Sequence, residues 1–312
     1  MPIVSIIIPS YNHEDFIAEA VESCLSQSVD DLELIVVDDG SKDRSVPNLW
    51  TIDDPRLRII EQSNQGAHAA INRGLSTATG DYLTILNSDD RFHKKRLEKL
   101  LDKLTSSKSD FVCSWLRQID KEGKPGAIKE GWHNQLPGWA KDAHLVKKQP
   151  RTEFLEQLAH SNFISTTSNM LFTRRLYEKI GGMRNLRFCH DWDFALRAAC
   201  QFDCTMIKES LLDYRTHGAN TIHSNAAWMK FEVLLVMATH LKKVGEKLEE
   251  KDGKARNYAE NPPLYMPGAE GIYTNIINFL QDGYRSGNEE FEERLMDNAE
   301  LRKPFVEALE NM

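Results

Sequence analysis

Tyr82-Leu83-Thr84-Ile85-Leu86 runs directly into Asn87-Ser88-Asp89-Asp90, so an apolar run of strand length ends on an amide, a hydroxyl and two adjacent carboxylates. Desolvated anions are costly without a partner. Acids at the end of a buried strand therefore require a cation, and oxygen ligands suit a hard divalent ion, Mg²⁺ or Mn²⁺, that completes its shell with water and substrate phosphates. The expected substrate carries a diphosphate.

The same alternation extends outward from this stretch. Apolar runs at 4–8, 32–37, 57–61 and 82–86 read as strands, and the segments 14–26, 67–77 and 93–104 between and after them read as helices. Leu97, Leu100, Leu101 and Leu104 recur on one face of the last. Strands alternating with helices predict right-handed crossovers and a mostly parallel central sheet flanked by helices, an α/β fold. In such sheets ligands bind beyond the carboxyl ends of the strands. Three polar segments follow strands: Pro9-Ser10-Tyr11-Asn12, Asp38-Asp39-Gly40-Ser41 and Asn87-Ser88-Asp89-Asp90. They are expected around one crevice.

Further on, 111–119 reads as a strand, 120–149 as a long irregular connection or hairpin, 168–172 as an apolar strand-like run, and 174–180 and 191–202 as helices. The character changes after Asn220. Helices are expected at 226–248, 271–282 and 288–309, with a Pro/Gly-bearing linker at 261–270. The expected division is a catalytic domain over 1–220 and a C-terminal helical subdomain over 221–312.

With 312 residues the chain can bury a full core. A net charge of -8 and the lack of a long basic stretch exclude a nucleic-acid partner bound through bulk charge. The five cysteines, an odd number without paired metal-type spacing, read as reduced thiols. Met1 leads into a strand with no basic n-region, and no apolar stretch approaches the ~20 residues of a membrane span. The expectation is a cytoplasmic protein, with peripheral contact at the inner face of the membrane left open.

Val4-Ser5-Ile6-Ile7-Ile8-Pro9-Ser10-Tyr11-Asn12, Val36-Val37-Asp38-Asp39-Gly40-Ser41, Asn64-Gln65-Gly66 with Asn72-Arg73-Gly74, Asn87-Ser88-Asp89-Asp90 and His190-Asp191-Trp192-Asp193, in this order, resemble the family 2 glycosyltransferases. These are inverting enzymes with a GT-A fold, a Rossmann-like sheet flanked by helices. The resemblance covers roughly residues 1–220 and implies a metal-dependent transfer from a nucleotide-diphosphate sugar, with a UDP-sugar as the expected donor, in polysaccharide or glycoconjugate assembly. Its implied partners are that donor and a saccharide or lipid-linked saccharide acceptor.

By this resemblance Asp39 accepts a hydrogen bond from the base, Tyr11 stacks on it and Pro9 shapes the floor; the alternative makes Asp38 and Asp39 caps of the following turn. Asp89 stands at the last acid of the family's D-x-D motif and would hold Mn²⁺ or Mg²⁺. Asn87 replaces the usual first Asp, and with Ser88 is assigned to donor binding. Asp90 assists the metal through water or caps the next helix. Arg73 contacts the diphosphate or is a solvated helix residue. Asp191, where the family places its catalytic Asp, is the expected general base, with Trp192 and Phe188 as an apolar wall; its alternative is a helix N-cap. His190 replaces the Glu that commonly precedes this base. His217 in Tyr214-Arg215-Thr216-His217 resembles a histidine that many GT-A enzymes turn toward the metal. Gly181-Gly182 reads as a tight helix exit or an approach to the donor sugar, and Trp132, His133 and Trp139 as an acceptor face or loop anchors. The apolar stripe of 226–248 reads as core, or as a membrane or dimer surface.

Two enzyme classes of similar layout fit less well. A nucleotidyltransferase needs a Gly-rich basic loop after the first strand, and a dehydrogenase needs G-x-G-x-x-G there. The chain has Pro9-Ser10-Tyr11-Asn12-His13. A non-catalytic sugar-nucleotide-binding or scaffold protein of the same fold stays open as the alternative function.

Overall fold

Seven consecutive buried residues, Val4–Ser10, form the first strand of a computed structural model that describes residues 3–134, 154–218, 225–258, 266, 268–285 and 291–311. A strand buried on both faces must lie inside a sheet covered on both sides. This strand, β1, pairs in parallel with β2 (Leu32–Asp38) and β4 (Tyr82–Ile85), and β2 pairs in parallel with β3 (Leu57–Glu61). The crossovers are α1 (Ile17–Leu25), α2 (Ser45–Leu49) and α3 (Ala67–Thr77).

The two faces of β1 take different partners. Val4, Ile6 and Ile8 join the cluster that contains Ile17, Ala20, Val21 and Cys24 of α1 and Leu97, Leu100 and Leu104 of α4 (Arg96–Ser107). Ile7 faces α3, which approaches so closely at Gly74 that an added Cβ would fall 2.4 Å from Ile7 Cγ2.

Beyond β4 the sheet becomes mixed. Its order is β3-β2-β1-β4-β8-β6-β9-β5, with β7 (Pro125–Lys129) paired to β6 (Phe111–Ile119). β8 (Leu171–Thr173) runs antiparallel to both β4 and β6, while β6 and β9 (Cys204–Arg215) are parallel. β5 (Arg91–Phe92) pairs antiparallel with β9, Arg91 opposite Asp213 and Phe92 opposite Leu212. The expected parallel sheet is thus realised in β3-β2-β1-β4, and the 120–149 connection contains the hairpin strand β7. α6 (Arg174–Ile180) starts on Thr173, whose hydroxyl accepts a hydrogen bond from Leu176 N, and ends at Gly181 with φ +77°.

By its contacts the chain divides into two units. The first comprises 1–143, 163–183 and 201–217 and holds the whole sheet; the second gathers 144–162, 184–200 and 218–312. Within the second, α5 (Phe154–His160), α7 (His190–Ala199) and α8 (Ala226–Asp252) pack together, and α8 also meets α9 (Glu270–Arg285) and α11 (Ala299–Glu310). α10 (Phe291–Asp297) precedes α11. The apolar stripe of α8, including Phe231, Leu234, Leu235, Leu241, Val244 and Leu248, is buried, as its core reading expects. Among the described residues no helix is long and apolar enough to cross a membrane.

Candidate functional site

Because β1 and β2 are parallel and in register to Ser10 and Asp38, the loops that follow them leave from the same edge. Side chains stitch these loops together. Asn12, in the left-handed region at φ +53°, donates its N–H to Ser41 Oγ and accepts from Lys42 N; His13 N donates to Ser45 Oγ, and Glu14 N to Asp43 Oδ2. Asn tolerates that backbone conformation better than most residues.

The register of β5 on β9 then fixes the third component. With Arg91 opposite Asp213, the residues before β5 lie beside those after β9, and Arg215 Nε donates to Asp89 O over 2.8 Å. His217 Nε2 meets Asp89 Oδ2 at 3.0 Å. His13 comes from the loop after β1 and places Nδ1 2.6 Å from Ser88 Oγ. His13, Asp89 and His217 each offer an atom within 4.8 Å of the other two. Phe16 holds both rings, stacked on His217 at 4.9 Å and edge-on to His13 at 5.9 Å. Burial lowers the His13 imidazole below its ordinary range while Asp89 pulls the other way, which favours the neutral form that binds cations. Two imidazoles and a carboxylate, partly buried on separate strand ends, are a donor set that fits a divalent ion.

Asp90 stands apart from this group. Its carboxylate accepts from Ser168 Oγ at 2.5 Å and Arg215 N at 3.0 Å, and burial, with Asp89 alongside, pushes it well above the usual carboxylate range. Asn87 also faces inward: Nδ2 donates to Thr166 Oγ1 and Oδ1 accepts from Thr167 Oγ1. Both anchor the segment ahead of β8.

Asp39 is 3 % exposed, and its carboxylate accepts from Gln62 Nε2, Gln65 N and Gly66 N, all at 2.8 Å. It orders the turn that starts α3. Asp38 Oδ2 accepts from Gly40 N and Ser41 N, the turn-capping arrangement, whereas Asp38 Oδ1 and neighbouring Ser10 Oγ are buried with no protein partner. Pro9 is buried within β1, Tyr11 is 43 % exposed, and Arg73 lies exposed on α3. Asn72, one residue before Arg73, exchanges hydrogen bonds with the backbone of Met183, and a Cβ on Gly182 would collide with its Oδ1. Gly182 thus serves a close approach to Asn72. Trp132 packs edge-on to Phe163 at 4.9 Å and lies 5.4 Å from His133, while Trp139 falls outside the described residues.

Asp191 belongs to the second unit, in the first turn of α7. It is 4 % exposed, accepts from Asn162 Nδ2 at 3.0 Å and from Trp192 N at 2.8 Å, and the N-cap position is Cys189. Trp192 turns its ring N–H to Leu158 O on α5, and Phe188 lies edge-on to Trp228 at 6.2 Å. The segment leading into α7 hangs on Glu232 of α8, whose carboxylate accepts from Arg187 N, Phe188 N and Cys189 N. Asp193 is fully buried among Arg184, Arg197 and His240. Sequence reading missed His13 and Glu232, because their partners lie on distant segments of the chain.

The sheet order and the sequence motifs define a GT-A protein, and comparison with known proteins agrees. The family model for glycosyl transferase family 2 matches residues 5–181, more than half of the chain, and the chain belongs to that family. It is 30% identical over 221 residues to the uncharacterized glycosyltransferase EpsJ of Bacillus subtilis, a match covering 69% of this chain and 61% of EpsJ, so the chain spans about three-fifths of that relative. Its fold is similar to S. aureus TarS 1–349 in complex with UDP-GlcNAc (TM-score 0.62, 17% identity, 95% of this chain and 91% of TarS 1–349). It is also similar to the mannosyltransferase PcManGT of Pyrobaculum calidifontis in complex with GDP-Man and Mn²⁺ (TM-score 0.54, 19% identity, 99% and 86% coverage).

Proposed function

We propose that this protein is a metal-dependent inverting glycosyltransferase that moves a sugar from a nucleotide-diphosphate donor, a UDP-sugar, to a hydroxyl of a saccharide or lipid-linked saccharide in polysaccharide or glycoconjugate assembly. The observation that carries this reading is the approach of Asp89 and His217 at the carboxyl edge of the sheet, 3.0 Å apart and next to the loop bearing Tyr11. Held there, a divalent cation, Mn²⁺ or Mg²⁺, supplies positive charge to a departing diphosphate.

The chain's own residues take the remaining roles. Tyr11 offers an exposed ring for stacking on the base, over the floor made by Pro9. Asp39 retains acceptor capacity, since each carboxylate oxygen has two lone pairs and three N–H groups already hold it in place. The unpartnered Asp38 Oδ1 and Ser10 Oγ are the kind of buried polar atoms a polar ligand would satisfy. Ser88, bonded to His13, and Arg73 are assigned to the diphosphate side. Asp191 acts as general base: it takes the acceptor's proton as the oxygen bonds to the anomeric carbon from the face opposite the diphosphate, which leaves with the electron pair of the broken C–O bond.

The test is calorimetric titration of UDP, dTDP and GDP with Mn²⁺ and with EDTA, beside turnover of an Asp191→Asn variant. Metal-dependent binding of one nucleotide, with turnover in Asp191→Asn reduced by about 10²–10⁴-fold while binding persists, supports the proposal. Nucleotide binding with no turnover in the unaltered protein, across donor and acceptor screens, supports the scaffold alternative instead.

A further inference from the structure

We infer that His13 is a third protein ligand of the cation site, making it a two-imidazole, one-carboxylate site that prefers first-row transition ions over Mg²⁺. The inference rests on the proposed reading of Asp89 and His217 as cation-binding residues and adds a ligand that the sequence motifs did not identify.

Three observations support it. The first is convergence: a donor atom of His13 lies within 4.8 Å of donor atoms of both Asp89 and His217, although the three arrive on loops after different strands. Adjustments of the order of an ångström would bring all three to ordinary metal–ligand distances of ~2.0–2.2 Å.

The second concerns what the His13 ring is for. The backbone of His13, not its ring, joins the loop to Ser45, and its carbonyl receives Phe16 N and Ile17 N. Any residue could provide those bonds. The ring instead contacts Ser88 Oγ, Phe16 and His217. With the Ser88 hydroxyl accepting from Nδ1–H, the contact is an outer hydrogen bond of the kind ligating imidazoles carry and Nε2 keeps its lone pair for a cation; this is the tautomer the inference requires.

The third is the chemistry of the set. Oxygen-only sites suit Mg²⁺, which demands near-ideal octahedral geometry and dehydrates reluctantly. Each imidazole shifts preference toward ions that accept nitrogen, with affinity rising from Mn²⁺ to Co²⁺ along the first row. A site with one carboxylate and one imidazole would still accommodate Mg²⁺; a second imidazole biases it further away.

The experiment uses the full chain, with Co²⁺ as the probe because its visible absorption reports coordination directly. Co²⁺ is titrated into the unaltered protein, His13→Gln and His13→Asp, each with and without UDP or GDP, and then competed with Mg²⁺; circular dichroism checks the fold of each variant. His13→Gln should bind Co²⁺ at least ~10-fold more weakly, with a changed absorption band and little change for Mg²⁺. His13→Asp should bind Mg²⁺ more tightly than the unaltered protein and show the lowest Co²⁺-to-Mg²⁺ preference of the three. An unchanged band and affinity in His13→Gln overturns the inference while leaving the cation site itself intact, and so does equal weakening toward both ions. Absence of Co²⁺ and Mn²⁺ binding by the unaltered protein, with either nucleotide present, overturns the metal-dependent reading on which it rests.

Discussion

Asn87 shows what a single residue reveals and conceals. Read in sequence, it is a missing carboxylate beside Asp89. In the structure its amide serves two hydroxyls, donating to Thr166 and accepting from Thr167, so a group that both gives and receives is required there. Asn87→Asp replaces the donor by an acceptor and adds a further carboxyl group beside those of Asp89 and Asp90. Urea unfolding in EDTA should therefore show a loss of about 1–3 kcal/mol; equal or greater stability would mean that the amide bonds contribute nothing. Asp89 stood out in the sequence because adjacent acids after an apolar run are costly to bury without a partner, and in the structure it meets His217 Nε2. His13 did not, because an isolated histidine in a loop has no periodicity or spacing, and its meaning depends on Ser88 and His217, brought near by strand pairing.

At the scale of elements, hydrophobic patterning located the units that bury one face. The sequence readings 57–61, 67–77 and 174–180 coincide with β3, α3 and α6. It missed α2, with five residues, and β5, with two, because neither is long enough to display a period. The 288–309 reading ran through a break at Asn298, whose side chain accepts from Glu300 N and Leu301 N to start α11. Close packing leaves its own signature at Gly74. Gly74→Ala adds a methyl where Ile7 already sits, and overpacking of this kind costs typically 1–3 kcal/mol. Chemical denaturation should show that loss, and Ile7→Ala in the same chain should make the double variant less unstable than the two separate losses predict. The capped entry to α7 gives a second prediction. Glu232→Gln turns an amide N–H₂ toward backbone N–H groups that now donate to a carboxylate. With the carboxylate lost, a melting temperature several degrees lower is expected, together with a fall in kcat larger than any change in donor KM, since the segment leads into the helix that carries Asp191. A variant with unaltered melting and kcat would remove Glu232 from any positioning role.

At the scale of the whole molecule, part of the dependence of stability on acidity should come from one buried ionic group in the second unit. Burial alone would raise the Asp193 carboxyl, but Arg197, Arg184 and His240 hold it well below the ordinary range, and Arg184 continues to Glu292. The contribution of Asp193 is therefore present at every pH above its unfolded value of ~3.9 and is lost only as pH falls through the much lower folded value. His240 behaves differently. Burial lowers its pKa, and although Asp193 opposes this, the net shift is downward. On acidification the unfolded chain takes up this proton first, near pH 6.5, so stability falls from there to the lower folded value, with a slope of up to about 1.4 kcal/mol per pH unit for one proton. The two residues can be separated by melting the protein from pH 7 to pH 5. His240→Gln should flatten the decline below pH 6.5 relative to the unaltered chain, because the group that protonates preferentially on unfolding is gone. Asp193→Asn should instead lower stability by about 3 kcal/mol already at pH 7, because Arg184 and Arg197 lose the anion they surround. A decline as steep in His240→Gln as in the unaltered protein would assign the acid sensitivity to other groups, and little loss at pH 7 in Asp193→Asn would mean that the surrounding cations find water instead.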